Sequence, residues 1–101
     1  MGIDAQIEDE AGKQIQFCHD ASGSFARLLT ASDLSKSVCL RFIDPYGHTI
    51  FNRGQAAVLL EELRLVRAAA DSMAAAYIDN VLRFANTASR DPHHYVRFIG
   101  D

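Results

Sequence analysis

Cys18-His19-Asp20 brings together the residue types of a thiol nucleophile, a base to deprotonate it and a carboxylate to orient the base. Contiguity works against that chemistry. On a strand, neighbouring side chains project to opposite faces, so the Cys18 thiol and the His19 ring do not share a proton, and no helix start lies under the thiol to activate it. The expected role is a packed cysteine at a strand end. His93-His94 and His48 supply imidazoles for zinc, but no His pair stands at i, i+4 and no Cys pair at two-residue spacing. Neither a metal nor a cofactor is expected. Glu61 and Glu62, as consecutive helix positions, diverge by about 100° around the axis and belong to a solvated face. Phosphate-cradling glycine loops and nucleophile elbows are missing from the sequence, so no catalytic residue is assigned.

These residues must be positioned by one domain. A chain of 101 residues can bury roughly two-thirds of the surface its unfolded form exposes, enough for a single core spanning 1–101. Hydrophobic residues make up 49% and charged residues 23%, the usage of a folded globular domain rather than of a disordered chain. A net charge of −3 with dispersed arginines argues against nucleic acid as a partner. No stretch reaches the ~20 apolar residues of a membrane span, and no basic segment leads into an apolar run as in a secretory signal. Two cysteines are too few for a disulfide scaffold, so the expected compartment is the cytoplasm. Asp4, Glu8, Asp9, Glu10 and Asp20 against Lys13 make the first segment acidic, a bias that marks either a solvated edge or a surface for a basic partner.

Ile3, Ala5 and Ile7 alternate with Asp4, Gln6 and Glu8, the period of a half-buried strand, and Ile15 and Phe17 resume the pattern after Asp9-Glu10-Ala11-Gly12. A type I turn with left-handed Gly12 predicts a hairpin with Ile7 opposite Ile15 and Ala5 opposite Phe17. Asp44-Pro45-Tyr46-Gly47 carries the same turn chemistry and predicts a second hairpin, Val38 to Ile43 against Thr49 to Phe51, with Phe42 opposite Ile50. Asn52 and Gln55 form a capping box opening a helix whose stripe is Ala56, Leu59, Leu60, Leu63, Val66 and Ala70. A break at Asp71-Ser72 starts a second helix with Tyr77, Ile78, Val81, Leu82 and Ala85 inward. Tyr95 to Ile99 is a fifth strand, placed beside Leu40 to Ile43 at the sheet centre. The segment from Asp20 to Ser37 holds a short helix with Phe25, Leu28, Leu29 and Leu34.

The fold class is therefore α+β: a mostly antiparallel sheet of two hairpins plus a C-terminal strand, with an antiparallel helix pair on one face. The sheet face away from the helices gathers Arg41, Ile43, Phe51, Tyr95, Arg97 and Ile99, the Arg and aromatic types in which interface centres are enriched. Either that face is a contact surface or the 20–37 segment folds over it. The leading expectation is a non-catalytic interaction protein, self-associating or binding another protein. The alternative is a small-ligand binder or small enzyme with a pocket near Cys18, His48 and His94.

The strings LRFIDPYGHTIFNRGQ, from Leu40 to Gln55, and YVRFIGD at the end of the sequence resemble segments of a family of short uncharacterised bacterial proteins of no known activity. The resemblance implies a bacterial source and the hairpin, capped helix and last strand as recurring parts. It transfers no functional residue. Some small acidic bacterial proteins of this size are immunity proteins or companions of a larger enzyme, which supports the partner expectation by analogy alone.

Overall fold

A computed structural model describes residues 2–101 of the chain. Its elements in chain order are β1 (Ile3–Asp9), β2 (Gln14–Cys18), α1 (Ser24–Ala31), β3 (His48–Phe51), α2 (Arg53–Arg67), α3 (Ser72–Arg90) and β4 (His94–Gly100). The strands form one antiparallel sheet in the order β2-β1-β4-β3, and α2 and α3 pack on one of its faces. None of the helices among the described residues is long and apolar enough to cross a membrane.

The alternation in β1 sends Ile3, Ala5 and Ile7 toward the helices, where Val96 and Phe98 of β4 and Phe51 of β3 join them. Gly12 has φ +82°, the left-handed conformation that lets the turn close, and Asp9 donates its amide to the Lys13 carbonyl. The expected register then fails by one residue. Glu8 lies opposite Gln14 but Ile7 lies opposite Gln16 and Ala5 opposite Cys18, with a bulge between. Both ends of the ladder are held, by the Asp9 and Lys13 pair and by the Asp20 amide donating to Asp4 Oδ1 at 2.8 Å, so the surplus residue of β2 is absorbed between them. Core volume agrees with the slip. The row containing Ala5 and Phe98 is already filled by Phe25, which stacks on Tyr77 at 4.5 Å and on Phe98 at 6.1 Å, and the small Cys18 side chain completes it. Phe17 is displaced to the opposite face and left 47% exposed.

The second correction concerns Val38 to Ile43, which is not a strand. Leu40–Phe42 form a 3-10 turn. The Glu62 carboxylate of α2 accepts from the amides of Val38, Cys39 and Leu40, the latter two at 3.0 Å, and so occupies the donors a ladder would need. The turn at Asp44 to Gly47 forms as expected, but it docks elsewhere: Gly100 donates its amide to the Gly47 carbonyl at 2.7 Å and Asp101 donates to Pro45 at 3.0 Å. β3 therefore pairs with β4, and β4 takes a central place between β1 and β3.

The helical elements follow their local signals. Both bonds of the Asn52 and Gln55 capping box are made at 3.0 Å, and Asp71 caps α3 by accepting from Ala74 at 2.8 Å. Glu61 pairs with Arg64 as expected. Arg67 reaches across to Asp79 of α3 through two bonds rather than along its own helix to Asp71. The 20–37 segment forms α1 and packs against α3, on the helical side; it does not cover the open sheet face.

Asp20, only 2% exposed, ties this arrangement together. Its carboxylate accepts from the amides of Ile3 at 3.0 Å, Phe25 at 2.8 Å and Ala26 at 3.0 Å, joining the start of β1 to the start of α1. Asp20→Ala leaves three buried donors without acceptors, and urea denaturation should report a loss of about 3 kcal/mol or more. A destabilisation under about 1 kcal/mol would contradict this role. Gly100 is constrained by space: a Cβ there would stand 2.4 Å from the Pro45 carbonyl carbon and 2.5 Å from its oxygen. Gly100→Ala should therefore cost at least about 2 kcal/mol in the same assay, with shifted amide resonances at Pro45 to Gly47 marking displacement of the turn.

Candidate functional site

The face of the sheet turned away from the helices presents three rows. Across the middle, Phe17, Gln6, Arg97 and Ile50 follow one another from β2 to β3; Gln14, Glu8 and Tyr95 lie on one side of them, and Asp4, Ile99 and His48 on the other. At the centre the Arg97 guanidinium grips Glu8, Nε donating to Oε2 at 2.9 Å and Nη2 to Oε1 at 3.0 Å. Gln6 Nε2 donates to the same Oε2 at 2.8 Å. Arg97 Nη1 donates to His48 Nδ1 at 2.9 Å, which places the proton of the neutral ring on Nε2. Around this network stand Phe17 and Ile50, 47% and 46% exposed, with Tyr95 and Ile99 partly covered.

Glu8 is 3% exposed although no helix lies over it, because neighbouring side chains on the face close above it. Burial by itself would raise its carboxyl pKa. The hydrogen bonds from Arg97 and Gln6 and the Arg97 charge outweigh that effect and hold the group below its ordinary value.

Of the six residues expected on this face, Tyr95, Arg97 and Ile99 lie together there. The other three do not. Ile43 and Phe51 are buried in the core, Phe51 edge-on to Phe98, and Arg41 sits on the 3-10 turn with its guanidinium over the Phe42 ring. Those placements follow from the loss of the 38–43 strand and from β3 turning Phe51, rather than Ile50, inward. Sequence reading missed Phe17, Ile50, Glu8, Gln6 and His48. The alternation of β3 carried the signal for Ile50 and His48; the bulge hid Phe17.

Cys18, His48 and His94 are not brought together. Cys18 lines a groove with Tyr77 and Asn80, His94 lines a different one with Arg83 and Thr87, and His48 belongs to the open face. Burial, the largest influence on the Cys18 thiol, pushes its pKa up and away from nucleophilic character. His19 turns to Asp4 at 2.9 Å while Asp20 holds backbone amides, so the three consecutive residues serve three separate ends. His94 Nδ1 lies 2.8 Å from Asp91 Oδ2, at the distance of an ion pair but without the alignment of a hydrogen bond. Among the described residues no group of three or more His, Cys, Asp or Glu is placed to hold a metal ion. The acids of the first hairpin are engaged within the chain: Asp4 by His19, Glu8 by Arg97, Asp9 by the Ala11 and Lys13 amides, Glu10 by His93.

Comparison of the chain with protein-family models, with curated proteins and with solved structures gives no match in any of the three.

The lowered pKa of Glu8 makes its pairing stabilising above the unfolded carboxyl value, with that contribution lost as pH falls through the folded one. Arg97→Leu removes the counter-charge and leaves the burial. A 13C titration should show the Glu8 carboxyl moving from below to above its ordinary value. Denaturation at neutral pH should show a loss of about 2–3 kcal/mol that shrinks as the pH is lowered and the carboxyl protonates. An unmoved Glu8 titration would remove Arg97 as the group that holds it.

Proposed function

We propose that this chain is a non-catalytic protein-interaction module and that it binds through the open sheet face. The observation that carries the reading is the pattern on that face: an Arg97 and Glu8 pair already neutralised and hydrogen-bonded in place, flanked by Phe17, Ile50, Tyr95 and Ile99 with no layer of this chain above them. Interface centres combine such desolvated, locked polar groups with aromatic and aliphatic anchors. The side chains are also pre-ordered by the sheet and by one another, which lowers the entropy lost on binding. The groups that could otherwise perform chemistry are committed to structure, Asp20 and Glu62 to backbone amides and Cys18 to the core.

Photo-crosslinking tests the surface. A benzophenone amino acid replaces Ile50 on the open face and, separately, Leu65 on α2, which is 77% exposed and serves as the control. Irradiation in native cells should give discrete adducts from position 50 that are absent from position 65. The same set of adducts at both positions, or none at position 50, would overturn the assignment.

A further inference from the structure

We propose that the occupant of the open face is a second copy of this chain, stacked face to face about a twofold axis that runs along the strand direction. This rests on the interaction-surface reading and adds the partner's identity and orientation. An axis lying between β1 and β4 and parallel to them exchanges the two halves of the middle row. Phe17 of each copy then meets Ile50 of the other, and Gln6 meets Arg97. The two half-exposed apolar side chains are covered at both corners, and each guanidinium faces a carboxamide. In the outer rows Glu8 comes over Tyr95, and Asp4 over Ile99.

The competing twofold, perpendicular to the strands through the same row, sets Arg97 on Arg97 at the desolvated centre. Like charges there oppose association. Charge complementarity thus selects the axis along the strands. Sheets stacked in this way sit about 10 Å apart with their strands nearly aligned, as in a β-sandwich.

The size of the face sets the strength. Four strands at about 4.8 Å spacing and three rows about 7 Å apart project an area of about 400 Å². A standard stable interface takes ~800 Å² from each partner, so the dimer belongs to the weak, concentration-dependent class, with a dissociation constant on the order of tens of micromolar or higher.

Sedimentation equilibrium between about 10 µM and 1 mM tests the arrangement on the wild-type chain, F17K, I50E and an equimolar mixture of the two variants. The wild type should dimerise with rising concentration. Each variant alone should stay monomeric, because its introduced charge lands on an apolar side chain of the other copy. The mixture should regain dimer: one corner pairs the new cation with the new anion, and the other keeps Phe17 on Ile50. The across-strand axis allows no such rescue. A wild type monomeric throughout, variants that dimerise like the wild type, or a mixture that stays monomeric would each overturn the proposal. Amide spectra of the wild type on dilution need no variant: shifts at Gln6, Phe17, Ile50 and Arg97 with Leu65 constant support the dimer, and constant spectra overturn it. Crosslinks from position 50 to a different protein, with a monomeric wild type, retain the surface and remove the second copy as its occupant.

Discussion

One buried carboxylate holds the two halves of the molecule in register. Asp20 gathers the Ile3 amide at the start of β1 and the Phe25 and Ala26 amides at the start of α1, and its own amide returns to Asp4. A charge so deeply placed is tolerable only because donors surround it. From that point Phe25 is aimed onto Tyr77 and Phe98, and the Tyr77 hydroxyl donates to the Ile3 carbonyl at 2.6 Å. Burial, and after it the Asp20 charge, pushes the Tyr77 hydroxyl well above its usual pKa, so it remains the donor this contact requires. Sheet, short helix and long helix thus meet around one residue.

Glu62 repeats the device at the other side of the core, one carboxylate collecting three consecutive amides of the 38–40 segment. The two clamps have a shared effect on the sheet. Each binds an irregular segment to the helical layer, and neither segment reaches across the opposite face. On that face the polar groups satisfy one another laterally, Glu8 with Arg97 and Gln6, and Arg97 with His48. Fully paired polar side chains within a sheet surface can be dehydrated by a partner at far smaller cost than unpaired ones.

Features decided by neighbouring residues were legible in the sequence: left-handed Gly12, the Asp44 to Gly47 turn, the Asn52 capping box, the Asp71 cap and the inward stripe of α3. What was illegible depended on residues far along the chain. Val38 to Ile43 has strand composition, but Glu62, more than twenty positions away, captures its amides first. The bulge in β2 follows from anchors at both ends of the hairpin and from a core row that admits Cys18 and not Phe17. For the candidate surface, Tyr95, Arg97 and Ile99 emerged from simple alternation, whereas Phe17 depended on the bulge and Glu8 on a partner 89 residues distant.

The position of β4 bears on how the molecule assembles. The strand that joins β1 to β3 follows every other element in chain order, so on the ribosome the two strands it must bridge are made first and wait without their common neighbour. Pairings of such high sequence separation are slow to form, because loop closure must precede any gain from contact. During that interval the early hairpin and the α2 and α3 pair are the only units with local contacts of their own. Acquisition of the native sheet is then a single late insertion event, with Ile3 to Asp9 open to wrong strand partners until it occurs.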